Sequence, residues 1–164
     1  MAAGPTYEPI TVVTASGSSS SQLVMSSIPS TYTNLVLVIN SGQATADGFY
    51  SVRFNGDTGS NYSNTQIVGN GSTVTTNRNT SQTQGYIHST AEGSLADTVI
   101  VNIPNYQNTN VFKSILSRGN SVSYRVVTSI SLWRSTAAIT SITVLGGSNI
   151  LSGSTFTLYG IAAA

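Results

Sequence analysis

The segment YRVVTSISLW (124–133) decides the fold class. Along it Val126, Ile130 and Leu132 recur at even positions, while Arg125, Ser129, Ser131 and Trp133 occupy odd ones. A period of two belongs to an extended strand, whose successive side chains point to opposite faces. Hydrophobicity alone predicts an inward aliphatic row and an outward polar row ending in a large aromatic. TFTLYGI (155–161) repeats the pattern, with Phe156 and Leu158 inward and Thr155, Thr157 and Tyr159 outward. NLVLVIN (34–40) departs from it, because Val36 and Val38 make the second face apolar as well as the first. A strand of an antiparallel sandwich normally keeps one wet face, so a second cover is expected, from neighbouring loops or from another subunit.

Outward from these segments, short runs rich in Val, Ile, Leu, Tyr and Thr predict strands near 6–13, 22–26, 49–54, 66–68, 85–88, 97–103, 112–117 and 139–145. Gly, Asn, Ser and Pro clusters separate them, and helical periodicity is nearly absent. The expected fold is all-β, a single antiparallel β-sandwich of jelly-roll type; a βαβ architecture would need helical stretches between strands. A chain of 164 residues fits one domain, here a short N-terminal arm (1–9) followed by the sandwich (10–164). The hydroxyl-rich stretches 16–21, 41–48, 55–64, 69–83 and 89–94 read as loops, and 70–83 as an exposed excursion.

Composition removes several functions. Only 7% of residues are charged and the formal net charge is +1, while 27 Ser, 22 Thr and 14 Asn supply uncharged hydrogen-bonding groups. One Lys and five scattered Arg form no stripe that could neutralise phosphates, so a nucleic-acid partner is not expected. No apolar run approaches the roughly 18 residues of a membrane span, and MAAGPTYEP lacks the features of a signal peptide. The absence of Cys removes disulfides, thiolate metal sites and Cys nucleophiles together.

Candidate chemistry is sparse. His88 stands alone in YIHST, with nothing in the sequence to place a Ser and a carboxylate beside it. Glu8, Asp47, Asp57, Glu92 and Asp97 are far apart, so a paired-carboxylate hydrolase would depend on convergence in space. In RFNGDTGSNYS (53–63), Asn55-Gly56 predicts a turn with positive backbone angles, and Asp57 can accept from nearby amides. A cation bound by oxygens of Asn55, Asp57, Ser60 and Asn61 would have one carboxylate, thin support for a divalent ion. The expectation is therefore no enzyme, no cofactor and no metal. Tyr7, Val36, Val38, Trp133 and Arg134 are the candidate partner or subunit contacts; for Trp133 packing under a loop is the competing expectation, and an exposed Trp133 with Tyr-bearing loops could also stack on sugars.

Five blocks, MSSIPSTYTNLVLVI (25–39), RFNGDTGSNYS (53–63), IPNYQNTNVFK (103–113), LWRSTAAITSITV (132–144) and GSTFTLYGI (153–161), together resemble a family of small virion proteins of tailed phages, including cyanophages. The resemblance implies a non-enzymatic β-sandwich at the virion surface. One role is a capsid cement (decoration) protein, expected as a homotrimer that binds the major capsid protein and buries the Val36/Val38 face or the arm 2–9 against a neighbour. The alternative is a tail-associated or fibre module that recognises host surface glycan.

Overall fold

A computed structural model describes residues 6–16, 20–41, 48–90, 97–121 and 125–162. Its alternating segments form β1 (Tyr7–Thr14), β2 (Ser20–Met25), β3 (Asn34–Ser41), β4 (Gly48–Phe54), β5 (Tyr62–Gly69), β6 (Val74–Gln82), β7 (Gly85–Thr90), β8 (Asp97–Pro104), β9 (Lys113–Ser121), β10 (Arg125–Trp133), β11 (Ile142–Ile150) and β12 (Thr155–Ile161). All pairings are antiparallel. They make an eight-stranded sheet, β1-β12-β3-β8-β9-β10-β5-β6, and a four-stranded sheet, β2-β11-β4-β7.

The connectivity follows from nesting. β1 pairs with β12, β2 with β11, β3 with β8 and β4 with β7, as if one long antiparallel ribbon were rolled up so that successive pairs alternate between sheets. That is a jelly-roll sandwich. The strands β5, β6, β9 and β10 are additions to it: they lie between β4 and β7 and between β8 and β11 in sequence, and both pairs extend the larger sheet on one side.

The core lies between the sheets. Leu35, Leu37, Ile39, Val99, Val101, Ile103, Phe156 and Leu158 from the large sheet are buried with Tyr50, Val52, Phe54, Ile142 and Val144 from the small one. Each buried side chain of this size contributes roughly 1.5–3 kcal/mol. The inward assignment of Phe156 and Leu158 from alternation is what the fold shows.

Two expectations are corrected. First, the parity of 125–133 holds but its direction is reversed: Val127, Ser129, Ser131 and Trp133 are buried, whereas Val126 and Ile130 are 64% and 58% exposed. The reason is the edge of the small sheet. Its strand β7 crosses over β9 and β10, and the hydroxyls of Ser129 and Ser131 donate to the carbonyl of Tyr86 at 2.9 and 2.7 Å. Ser117 of β9 donates to the carbonyl of Ile87 at 2.5 Å. Small hydroxyls let the β7 backbone approach closely and satisfy its carbonyls in a buried place, where an unpaired carbonyl costs about 1–3 kcal/mol.

Second, part of the excursion expected at 70–83 is strand β6, paired with β5 through its backbone. The strand expected near 6–13 is edge strand β1, in which Tyr7–Pro9 lie opposite Ile161, Gly160 and Tyr159; residues 1–5 of the expected arm lie outside the described residues. The register of β1 shifts between Pro9 and Thr11. A proline and a bulge at an open edge both discourage further strand pairing.

Candidate functional site

Partners that face each other across antiparallel strands point to the same side of a sheet. From the registers, the side of the large sheet turned away from the core carries Leu116 opposite Ile130, Arg118 opposite Thr128, Thr128 opposite Ile67, and Val126 opposite Asn120. Val74 stands opposite Gly69, and Gly69 is in turn opposite Val126. The missing side chain at Gly69 leaves room for Val126, whose Cγ2 would lie 3.3 Å from a Cβ there. Ile67, Val74, Leu116, Val126 and Ile130 are all exposed, as is Val12 farther along the same face.

The face is almost uncharged. Among the described residues of these strands, Arg78 (opposite Thr65) and Arg118 are the charged side chains turned to it. Leu132 and Thr, Ser and Asn side chains occupy most of the remaining positions. Isolated surface aliphatics are ordinary; here a run of them crosses four adjacent strands.

The residues singled out in the sequence fall in different places. Tyr7 is exposed on this side of the sheet and meets Tyr159 edge-on, with ring centres 6.4 Å apart. Val38 is half-buried, whereas Val36 is only 5% exposed within the single chain, with Tyr159 and Asn102 directly opposite it. The cover expected for Val36 is thus supplied inside the chain.

Trp133 is corrected from an exposed contact to a core residue, 2% exposed. Its indole stacks on Tyr62 at 6.3 Å and meets Phe54 edge-on at 5.4 Å. Its Nε1 donates to Asp57 Oδ2 at 2.6 Å. Arg134 is an internal clasp: its Nη2 donates to the carbonyl of Ser60 at 2.8 Å, and its backbone N–H donates to the carbonyl of Asn61 at 2.8 Å.

Both residues thereby fasten the turn that the sequence marked at 53–63. Asn55 and Gly56 have φ of 52° and 68°, and the Asp57 N–H donates to the Phe54 carbonyl at 2.9 Å, as expected of Asn-Gly. Asp57 accepts from the Gly59 N–H at 2.8 Å and from Asn61 Nδ2 at 2.9 Å, besides Trp133. Burial alone would raise its carboxyl pKa, but the bonds from Trp133, Asn61 and Gly59 outweigh it and hold the group below its ordinary value. Asn55 Oδ1 accepts from the Thr140 and Ser141 N–H groups. The side-chain oxygens of Asn55 and Asp57 that a cation reading needed are thus engaged by internal donors, and the loop is a scaffold.

The other acids, Tyr62 and His88 lie as follows. Glu8 accepts from the Tyr32 hydroxyl at 2.7 Å, and burial pushes the Tyr62 phenol up to about 12. His88 is fully buried, 3.5 Å from Asp97, with its ring where a side chain at Gly119 would be. Asp47 and Glu92 lie outside the described residues.

Lys113 was not anticipated. It is buried, and its Nζ donates to the carbonyls of Asn108, Val111 and Thr136 at 2.6, 3.0 and 3.1 Å. The signal was its place in VFKSIL, a lone cation amid apolar residues at a strand start. Comparison of the chain with protein-family models, with curated proteins and with solved structures finds no match.

Proposed function

We propose that this chain is a non-catalytic structural subunit of a phage virion: a capsid cement protein that docks on the major capsid protein and stabilises the head. The observation that carries this reading is the nearly uncharged, aliphatic outer face of the large sheet, centred on Ile130, Leu116, Val126 and Ile67. A shell needs many modest contacts repeated at symmetry-related sites. Apolar and hydroxyl contacts suit that demand better than surface ion pairs, which are screened by salt and contribute little. The resemblance of five ordered sequence blocks to small tailed-phage virion proteins supports the same role. In this reading the subunit acts as a homotrimer on the capsid surface, with the outer face, on which Val36 and Val38 also lie, meeting its partner.

The tail-module alternative loses its aromatic platform at Trp133, which is buried. Quantitative gel analysis of purified virions tests the assignment. A cement protein is present in hundreds of copies per particle; a handful of copies places the chain in the tail, and absence from mature particles ends the proposal.

A further inference from the structure

On the core side of the large sheet, β5 and β6 run past the edge of the small sheet, and the step between them is a groove. One part has a volume of about 380 Å³, and an adjoining part has about 300 Å³. Phe49, Gln66 and Asn77 line both parts; Tyr86 and Asn79 line the second, and Arg125 the first. The floor carries carboxamides: Gln66 lies directly opposite Asn77, and Asn79 follows on β6, opposite Asn64, which does not itself line the groove. The wall is aromatic: Phe49 is exposed and meets Tyr86 edge-on, with ring centres 5.6 Å apart. Tyr86 is held in place by the two serine hydroxyls bound to its carbonyl.

Gln66 makes this more than a crevice. It is only 3% exposed, yet its Nε2 has no hydrogen-bond partner. Both amide atoms of buried Asn64, next along the same face of β5, are also unpartnered. Buried polar groups in folded proteins are nearly always paired, so an unpaired donor on a side chain that lines an open groove marks a place for a ligand acceptor, which the enclosed Nε2 would meet by turning its amide outward. Carboxamides, with donor and acceptor side by side, match vicinal hydroxyls, and an aromatic face matches the C–H face of a pyranose.

We propose that this groove binds an oligosaccharide, with a pyranose ring against Phe49 and Tyr86 and its hydroxyls on Gln66 and Asn77. The inference is independent of capsid docking, since Gln66 and Ile67 point to opposite sides of β5.

The test is an NMR titration of the ¹⁵N-labelled full chain with maltohexaose, xylohexaose and hexagalacturonate. At least one is expected to bind with Kd on the order of 0.1–1 mM, shifting the amides of Phe49, Gln66, Asn77 and Tyr86. Phe49→Ala and Gln66→Leu should each weaken binding about fivefold or more. Gln66→Leu should leave the melting temperature unchanged or raised, because it removes an unpaired buried donor. The proposal is overturned if none of the three sugars perturbs these amides at about 10 mM. It is equally overturned if both variants bind like the parent, or if Gln66→Leu melts well below it, which would reveal an internal partner for the amide.

Discussion

Replacing Asp57 by Ala removes one carboxylate that serves three donors, and the structure indicates which loss matters. The Gly59 N–H and Asn61 Nδ2 lie in an exposed loop and can turn to water, so their loss is nearly neutral. The indole N–H of Trp133 cannot, because the ring is enclosed by Phe54 and Tyr62. A hydrogen bond to a charged group contributes about 1.5–3 kcal/mol, and a stranded buried donor costs about 1–3 kcal/mol. Asp57→Ala should therefore destabilise the fold by about 2–3 kcal/mol. For a domain of this size that lowers the midpoint of thermal unfolding by about 4–12 °C.

The same carboxylate predicts a pH dependence. Its folded pKa is depressed, so its stabilisation is present above the ordinary unfolded value near about 3.9 and disappears as pH falls through the folded value. Calorimetry from pH 7 down to pH 2 should show an acid limb that is shallower in Asp57→Asn than in the parent. A double-mutant cycle with Trp133→Phe, which keeps the ring and deletes the N–H, should give a coupling above about 1 kcal/mol. Additive effects, or an Asp57→Ala variant melting within about 1 °C of the parent, would refute the clasp.

Ser117→Ala should cost about 1–2 kcal/mol in urea unfolding, because it strands the Ile87 carbonyl in a buried place; no loss would mean that the carbonyl is otherwise satisfied. Phe156→Ala, which empties a fully buried site against Tyr50, should cost about 3–5 kcal/mol, and parent-like melting would contradict the inward face of β12.

How far the sequence reaches depends on what kind of force sets each feature. Segments 34–40, 97–103 and 155–161 were legible because their aliphatic alternation is fixed by burial between two sheets. β6 was not, because VTTNRNTSQ is polar on both sides and owes its extension to backbone pairing with β5. In 125–133 the period was readable and the direction was not. Hydrophobicity favoured Val126 and Ile130 inside, but a neighbouring strand's carbonyl required hydroxyls there, and no local pattern encodes a strand arriving from 43 to 45 residues away. Trp133 did carry a clue: it shares the parity of Ser129 and Ser131, and so large a ring is rarely left in water. The Asn55-Gly56 turn was legible because its conformational preference is local. The carboxamide floor of the groove was invisible, since Gln66 meets Asn77 only through a pairing register that was not foreseen.

The central claim is that the outer sheet face is a docking surface, and Ile130→Asp tests it directly. Ile130 is 58% exposed in the single chain, so the free protein should fold and melt within about 0.5 kcal/mol of the parent. Placed against an apolar partner, the new carboxylate would be buried without a mate, at a cost of several kcal/mol. The measurement is the number of copies retained on purified phage particles carrying this substitution. The account predicts a folded protein that is lost from the particle; full occupancy by the Ile130→Asp chain would contradict it.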